Sequence, residues 1–267
     1  MQLENAVALV TGAGSGIGRA LAIALSRRGV RCILLGRHRD SLEITRAAMI
    51  RPDRAWVLPL DLSDTEARAR ISETVMAMAG RLDLLINNAG AIEAGPVCEQ
   101  DETAWGKMLE VNLLAPMSLS RHLFYLLRAS GQGRIVNIGS MFGDIAFPYF
   151  AAYSASKFGL RGWSEALQRE WSGHGIGVTY CAPRGTRTPA ADGFHAYAQA
   201  FAMPLDAPEK VAKRIVTGIA ADARDIYPVG PERLFLLLQR LLPARIDAAL
   251  RRQTRAVQAD LGLSLTP

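Results

Sequence analysis

The chain has 267 residues, 49% of them hydrophobic, enough for one undivided core. Its 31 Lys and Arg outnumber 25 Asp and Glu, giving a formal net charge of +6 and a pI near 9.5, but the arginines are scattered and no basic block alternates with aromatics, which argues against nucleic-acid binding. No apolar run approaches the roughly 18 residues of a membrane span, no basic leader precedes the first apolar run, and Cys32, Cys98 and Cys181 lack disulfide or metal spacing, so the expectation is a cytoplasmic protein in a reducing setting with no metal site.

Apolar strand-like runs alternate with helical patterns along the whole chain. The first strand is read at Val7 to Thr11 and leads into a glycine run, TGAGSGIG, at Thr11 to Gly18. Gly12, Gly16 and Gly18 follow a strand and open a helix. A phosphate needs bare backbone N–H groups and room to approach them, and a helix N-terminus adds partial positive charge. The second strand, Arg31 to Leu35, ends in Gly36-Arg37-His38-Arg39. A site for NAD usually places an acid there to hold the ribose 2′-hydroxyl. Here the acid is missing and Arg37 is available, with the charge and fork geometry of a 2′-phosphate partner. Asp40 reads as a cap of the next helix.

The third strand is read at Trp56 to Leu60, followed by Asp61-Leu62 and a helix whose capping box starts at Ser63. The fourth runs from Leu82 to Asn87 and ends in Asn87-Asn88-Ala89-Gly90. A long helix from Thr103 to Arg128 carries Asn112. The fifth strand, Arg134 to Ile138, is closed by Ser140, and Met141, Phe142, Ile145, Phe147 and Pro148 form an apolar edge after it. Tyr153 and Lys157 are four apart in a helical segment and so share one face. The lysine ammonium is expected to lower the tyrosine pKa from near 10, making the phenol usable as an acid or base near neutral pH. Ser140 is placed to hydrogen-bond a substrate oxygen as charge develops.

The sixth strand is read at Val178 to Cys181, and a Gly-, Pro- and Ala-rich stretch, Pro183 to Pro208, as a mobile substrate loop with short helices. Arg184 and Arg187 in it have two readings: binding a cofactor phosphate or anionic substrate, or pairing with acids elsewhere. The seventh strand is read at Asp225 to Val229. The remainder, 231–267, is a helical extension starting with the very apolar Pro231 to Leu242 and continuing into a basic stretch. Four roles are open to it: a cover for the cleft, a subunit contact, a membrane-surface helix, or an extra helix packed on the core. Strands that are apolar throughout are buried on both faces of a parallel sheet. The expected fold is α/β: one domain over 1–267, a doubly wound Rossmann-like sheet of about seven strands with helices on both faces and an extra C-terminal helix.

The TGxxxGxG run together with Asn112, Ser140, Tyr153 and Lys157 resembles the short-chain dehydrogenase/reductases in their single-domain form, over about Leu3 to Thr188. The resemblance implies a nicotinamide dinucleotide held by Gly12, Ser15, Gly16, Ile17, Gly18, Asp61, Leu62, Asn88, Tyr153, Lys157, Thr186 and Thr188, with Arg37 selecting NADP(H). It implies that Asp61 and Leu62 contact the adenine, Asn88 the adenosine ribose, and Lys157 the nicotinamide ribose. It implies that Asn112 holds a water in a proton relay. The family's Pro-Gly-x-Val-x-Thr after the sixth strand is here Pro183-Arg184-Gly185-Thr186-Arg187-Thr188, with Pro183 and Thr188 retained. The implied activity is NADPH-dependent reduction of a hydrophobic ketone or aldehyde, or the reverse oxidation of a secondary alcohol. Alternatives are a 3-oxoacyl thioester reductase, whose acidic carrier would suit a basic surface, and a non-catalytic NADP(H)-binding sensor or scaffold. The helices around Trp105 to Arg128 and Ser154 to Trp171 carry Leu119, Leu123, Leu126, Leu127, Phe158 and Trp163, more apolar surface than one core face needs. In relatives these helices pair between subunits, so a homo-oligomer, dimer or tetramer, is expected.

Overall fold

Seven apolar runs become strands of one sheet in the computed structural model, which describes residues 1–230 and 232–262. They are β1 Val7–Thr11, β2 Arg31–Gly36, β3 Ala55–Pro59, β4 Leu84–Asn87, β5 Arg134–Ile138, β6 Gly177–Cys181 and β7 Asp225–Ile226. All pairings are parallel, in the order β3-β2-β1-β4-β5-β6-β7. The doubly wound, Rossmann-like α/β fold expected from the pattern is the observed one. β7 stops two residues after it starts, short of the expected Val229. Pro228 has no N–H to give a ladder.

The helices are α1 Gly16–Ser26, α2 Arg39–Ala47, α3 Thr65–Ala69, α4 Ile71–Ala79, α5 Glu102–Leu109, α6 Ala115–Ala129, α7 Ala151–Glu170, α8 His195–Ala200, α9 Pro208–Ala220, α10 Glu232–Leu241 and α11 Pro243–Asp260. Side-chain alternation along the strands feeds a core on each face of the sheet. Ala8, Val10, Leu34 and Ile86 pack with Leu21 and Leu25 of α1 and Ile215 and Ile219 of α9. Val7, Leu9, Ile33 and Leu85 pack on the other face with Leu119, Leu123 and Leu127 of α6 and Leu167 of α7.

That second core corrects part of the expectation about subunit contacts. Leu119, Leu123 and Leu127 recur every fourth residue and face the sheet fully buried, while Leu126 and Trp163 pack at its margin. Of the residues singled out, Phe158 is left exposed, joined by Leu109, Leu114 and Tyr125.

Two caps also differ. The Asp61 carboxylate takes both the N–H and the hydroxyl of Ser63, each at 2.9 Å, so Asp64 caps α3 by accepting from Ala67 N–H at 3.0 Å. The cap position of α2 is His38, and Asp40 stands in the first turn, where a negative charge suits the helix dipole. Cys32 and Cys181 are buried, and burial pushes the Cys32 thiol up to about 12, as suits a small apolar filler.

The extension beyond β7 holds two helices where one was expected, and residues 231 and 263–267 lie outside the described residues. α11 packs against α8, and its Val257 is buried in a third apolar cluster with Tyr149 and Phe150. Among the described residues no helix is long and apolar enough to cross a membrane.

Candidate functional site

The carboxyl ends of the strands open into a cleft of about 820 Å³. Its floor is the turn after β1. Gly12 and Gly16 have φ of +64° and +51°, in the left-handed region that favours glycine. A side chain at Gly16 would meet Thr188 at 2.8 Å, and one at Gly18 would run into the Gly12 carbonyl. Ser15 caps α1 with its side chain uncommitted, and the first turn of α1 carries no acid. The free N–H groups there form a ready anion site.

Arg19 and Thr45, which the sequence did not single out, hold this turn together with Asn88, which it did. Arg19 donates to Gly14 O and to Thr45 Oγ1, and Thr45 Oγ1 donates to Ala13 O at 2.9 Å. Asn88 braces it from β4: Nδ2 donates to Thr11 O at 2.9 Å, and its backbone N–H to Thr11 Oγ1 at 2.9 Å. Neither role leaves a periodic trace in sequence.

Arg37, His38, Asp61 and Leu62 line the end of the cleft beside β2 and β3, with no acid at the end of β2. The Ser63 N–H and hydroxyl, with the Arg37 charge nearby, hold the Asp61 carboxyl below the usual carboxylate range against the opposing pull of burial. Gly12, Ser15, Gly16, Ile17, Asn88, Thr186 and Thr188 also line the cleft. Gly18 does not; its part is to let α1 approach the turn.

At the other end Ser140, Tyr153 and Lys157 come together in the wall. Ser140 caps a short 3₁₀ turn, its Oγ accepting the Phe142 N–H at 3.1 Å, and it acts on the Tyr153 phenol, drawing its pKa down. Lys157 Nζ donates to Ile138 O at 3.0 Å and lies 5.7 Å from the Tyr153 ring centre. Asn112 is fully buried and stands back from the cleft wall. It occupies a π turn, Glu110–Leu114, that interrupts the expected long helix between α5 and α6. Its amide is committed: Nδ2 donates to Ala91 O at 2.8 Å and Ser156 Oγ at 3.0 Å, and Oδ1 accepts Ala91 N–H at 2.8 Å. A side chain at Gly90 would sit 3.2 Å from Asn112 Oδ1 and 3.7 Å from Lys157 Nζ, so these two groups flank the same small space.

The electrostatics run against one expectation. Burial pushes the Tyr153 phenol up to about 12, against the opposing Ser140 hydrogen bond, and brings the Lys157 ammonium down to about 8. Desolvation disfavours both charged forms and outweighs the pull of the ammonium on the phenol.

The substrate end is apolar and comes from four parts of the chain. Met141, Phe142, Ile145 and Phe147 follow β5 as expected, whereas Pro148 is outside the lining, where the chain turns through Tyr149 at φ +67° into α7. Phe194, Phe201 and Met203 come from the loop after β6, and Phe147 packs edge-on to Phe201 at 4.9 Å. Phe235 comes from α10, and Ile246, Ala249, Leu250 and Gln253 from α11. The last four are spaced i, i+3, i+4, i+7, a helical stripe legible in the sequence but overlooked beside the arginines. The extension therefore covers the cleft.

The two arginines after β6 separate. Arg184 lines the cleft but pairs with Asp206, Nε to Oδ2 at 2.8 Å. Arg187 is outside the lining, and its guanidinium donates to Leu205 O at 2.8 Å. The bridge between Thr186 and Asp206, with Arg187 N–H to Asp206 O at 2.9 Å, ties the two arms of the loop together.

Residues 6–197 match the family profile described as short chain dehydrogenase. The chain is a short-chain dehydrogenase/reductase. SadH of Mycobacterium tuberculosis, named as an oxidoreductase, is 35% identical over 235 residues, covering 81% of this chain and 83% of SadH. The crystal structure of a short chain dehydrogenase from Burkholderia cenocepacia in complex with NADP is 26% identical. It covers 94% of this chain and 99% of its own, with a TM-score of 0.80. A relative from Burkholderia phymatum crystallised in complex with NAD shares the fold at 22% identity and a TM-score of 0.83, over 90% of this chain and 94% of its own. As a short-chain dehydrogenase/reductase the chain is an oxidoreductase that binds a nicotinamide dinucleotide.

Burying Lys157 costs stability. Its pKa falls from 10.5 to about 8, so between those values the unfolded chain holds more protons and stability rises with pH. Below pH 8 the cost is on the order of 3 kcal/mol, partly offset by the bond to Ile138 O, worth about 1 kcal/mol. Without cofactor, Lys157→Met should therefore raise urea-unfolding stability at pH 7 by about 2 kcal/mol, the gain shrinking between pH 8 and 10.5. A variant no more stable at pH 7, or a gap that ignores pH, contradicts the assignment.

Proposed function

We propose that the protein is an NADPH-dependent carbonyl reductase acting on a hydrophobic ketone or aldehyde, or in reverse an alcohol dehydrogenase on a hydrophobic secondary alcohol. The observation that carries this is the meeting of Ser140, Tyr153 and Lys157 at the apolar end of the cleft, opposite Arg37 and an uncommitted helix N-terminus. The glycine turn fits a dinucleotide because it lines the cleft at the start of α1, where Ser15 makes no side-chain cap bond and the first-turn N–H groups lack a side-chain acceptor. Gly12, Ser15, Gly16 and Ile17 would hold the phosphates, Asp61, Leu62 and Asn88 the adenosine, and Lys157, Thr186 and Thr188 the nicotinamide half. Arg37 would take the 2′-phosphate. Bound there, the nicotinamide supplies or accepts a hydride.

Tyr153 gives the proton to the carbonyl oxygen. A phenol held near 12 stays protonated at neutral pH, which suits the reductive direction. Ser140 uses its own O–H toward the same oxygen while its lone pair keeps the Phe142 N–H, so it is oriented before substrate arrives. Lys157 steers proton resupply beside Tyr153. The side chain of Asn112 is committed to Ala91 and Ser156, so its part is to fix the wall beside Lys157 and not to hold a relay water through its amide. The apolar walls exclude bulk water and select a hydrophobic substrate.

We also propose a homo-oligomer joined through the outer faces of α5 to α7, where Leu109, Leu114, Tyr125 and Phe158 are exposed together with little else to cover them. Phe158→Glu with Tyr125→Glu should reduce the mass seen by light scattering; a parent that already runs as a monomer rules this out.

Tyr153→Phe should lower NADPH oxidation across a panel of hydrophobic ketones and aldehydes by about 100- to 10,000-fold, with NADPH binding retained. Near-parental turnover refutes the role of Tyr153. A parent that binds NADPH yet turns over no carbonyl refutes the reductase.

NADPH should bind more tightly than NADH, and Arg37→Ala should shrink the preference by tens-fold, since a charge-assisted bond is worth about 1.5–3 kcal/mol. Titration of both cofactors against both proteins decides it, and equal parental affinities exclude Arg37 as the selector.

A further inference from the structure

The outer surface of the C-terminal helix pair carries a feature the site does not use. Leu234, Leu237 and Leu241 lie on one face of α10, and all are exposed, Leu241 to 65%; Leu242 extends the patch. Phe235 is half exposed and also lines the cleft, so the apolar surface of α10 continues into the substrate end. A stripe of this kind left in water marks an interaction surface.

Its surroundings are basic. Arg240, Arg245, Arg251, Arg252 and Arg255 are all exposed along α10 and α11, against Asp247 and Asp260. None of the five arginines forms a salt bridge with a described residue. Arg240 also feels the Asp144 carboxylate, but leucines on one face flanked by exposed arginines are the composition of a helix that lies in a lipid interface. α10 has ten residues, too few to cross a bilayer.

We propose that the outer face of α10 docks on an anionic lipid surface, with its leucines among the acyl chains and the arginines of α10 and α11 at the headgroups. Each basic side chain near such a surface adds about 1 kcal/mol of attraction. A second copy of the chain is a poorer occupant, because a two-fold contact would bring the same arginines toward each other. Docking sets the cleft mouth, through Phe235, against the lipid, so an apolar substrate dissolved there reaches Tyr153 without crossing water. That delivery step rests on the hydrophobic-carbonyl reading; the docking does not.

The test is sedimentation of the full chain with vesicles, with no substrate present. Vesicles of phosphatidylcholine and phosphatidylglycerol in equal parts should carry the protein down. Pure phosphatidylcholine, or raised salt, should carry down much less. Leu237→Glu with Leu241→Glu should cut partitioning at least about tenfold while NADPH binding and light-scattering mass stay at parental values. A parent that sediments with neither vesicle overturns the proposal, whatever its reductase activity. So does a double variant that sediments like the parent, or one whose only change is a drop in mass, which would make this face a contact between copies.

Discussion

The tie between the ends of β1 and β4 decides where everything else can be. Thr11 Oγ1 accepts the N–H groups of Asn88 and Ala89 and donates to Ile86 O, while Asn88 Nδ2 returns a bond to Thr11 O. β1 has β2 on one side and β4 on the other, so the crossovers leave it in opposite directions and a crevice opens at their carboxyl ends. The Asn88 amide fills the space that a side chain at Gly12 or Gly18 would need. α1 can therefore begin directly beneath the crevice, with the N–H groups of its first turn at the mouth of the cleft.

From that anchor the reaction end follows by the same sheet. β5 lies beside β4, and its exit carries Ser140 into the crevice. Tyr180, on the next strand, supports the exit from below: its hydroxyl lies 3.3 Å from Ser140 O and fills the space that a side chain at Gly143 would take, and its ring fills that at Gly139. α7 then lays Tyr153 and Lys157 across the same point. Tyr153 and Lys157 are shielded from water there, which is why burial dominates their protonation. Stability and proton chemistry compete for the same few residues.

The sheet and the cradle were legible because they are local. Strands apolar throughout, a glycine turn between strand and helix, and a tyrosine and lysine four apart are each written in a few adjacent residues. What was misread is long-range. Leu119, Leu123 and Leu127 look surplus until α6 is laid on the sheet. Ser63 has the form of a cap until Asp61 captures it. The expected effect of Lys157 on Tyr153 follows from charge alone, whereas burial of the phenol sets the direction of its shift. Asn112 was found by type and order, but that its amide is committed to Ala91 and Ser156 depends on a π turn that no spacing announces. The covering role of α11 was visible as a stripe from Ile246 to Gln253, masked by the arginines around it.

The third apolar cluster, where Val257 of α11 meets Tyr149 and Phe150, has a consequence for how such a protein can change. The two cores on the faces of the sheet contain no residue of α10 or α11, which pack on each other, on α8 and on the apolar cluster around Tyr149 and Phe150. Chemistry and substrate shape are thus encoded in separable stretches of the chain. Mutations in α10 and α11 can redraw the apolar end of the cleft while the glycine turn after β1 keeps its own packing. The fold can explore new substrates at its tail without renegotiating its reaction.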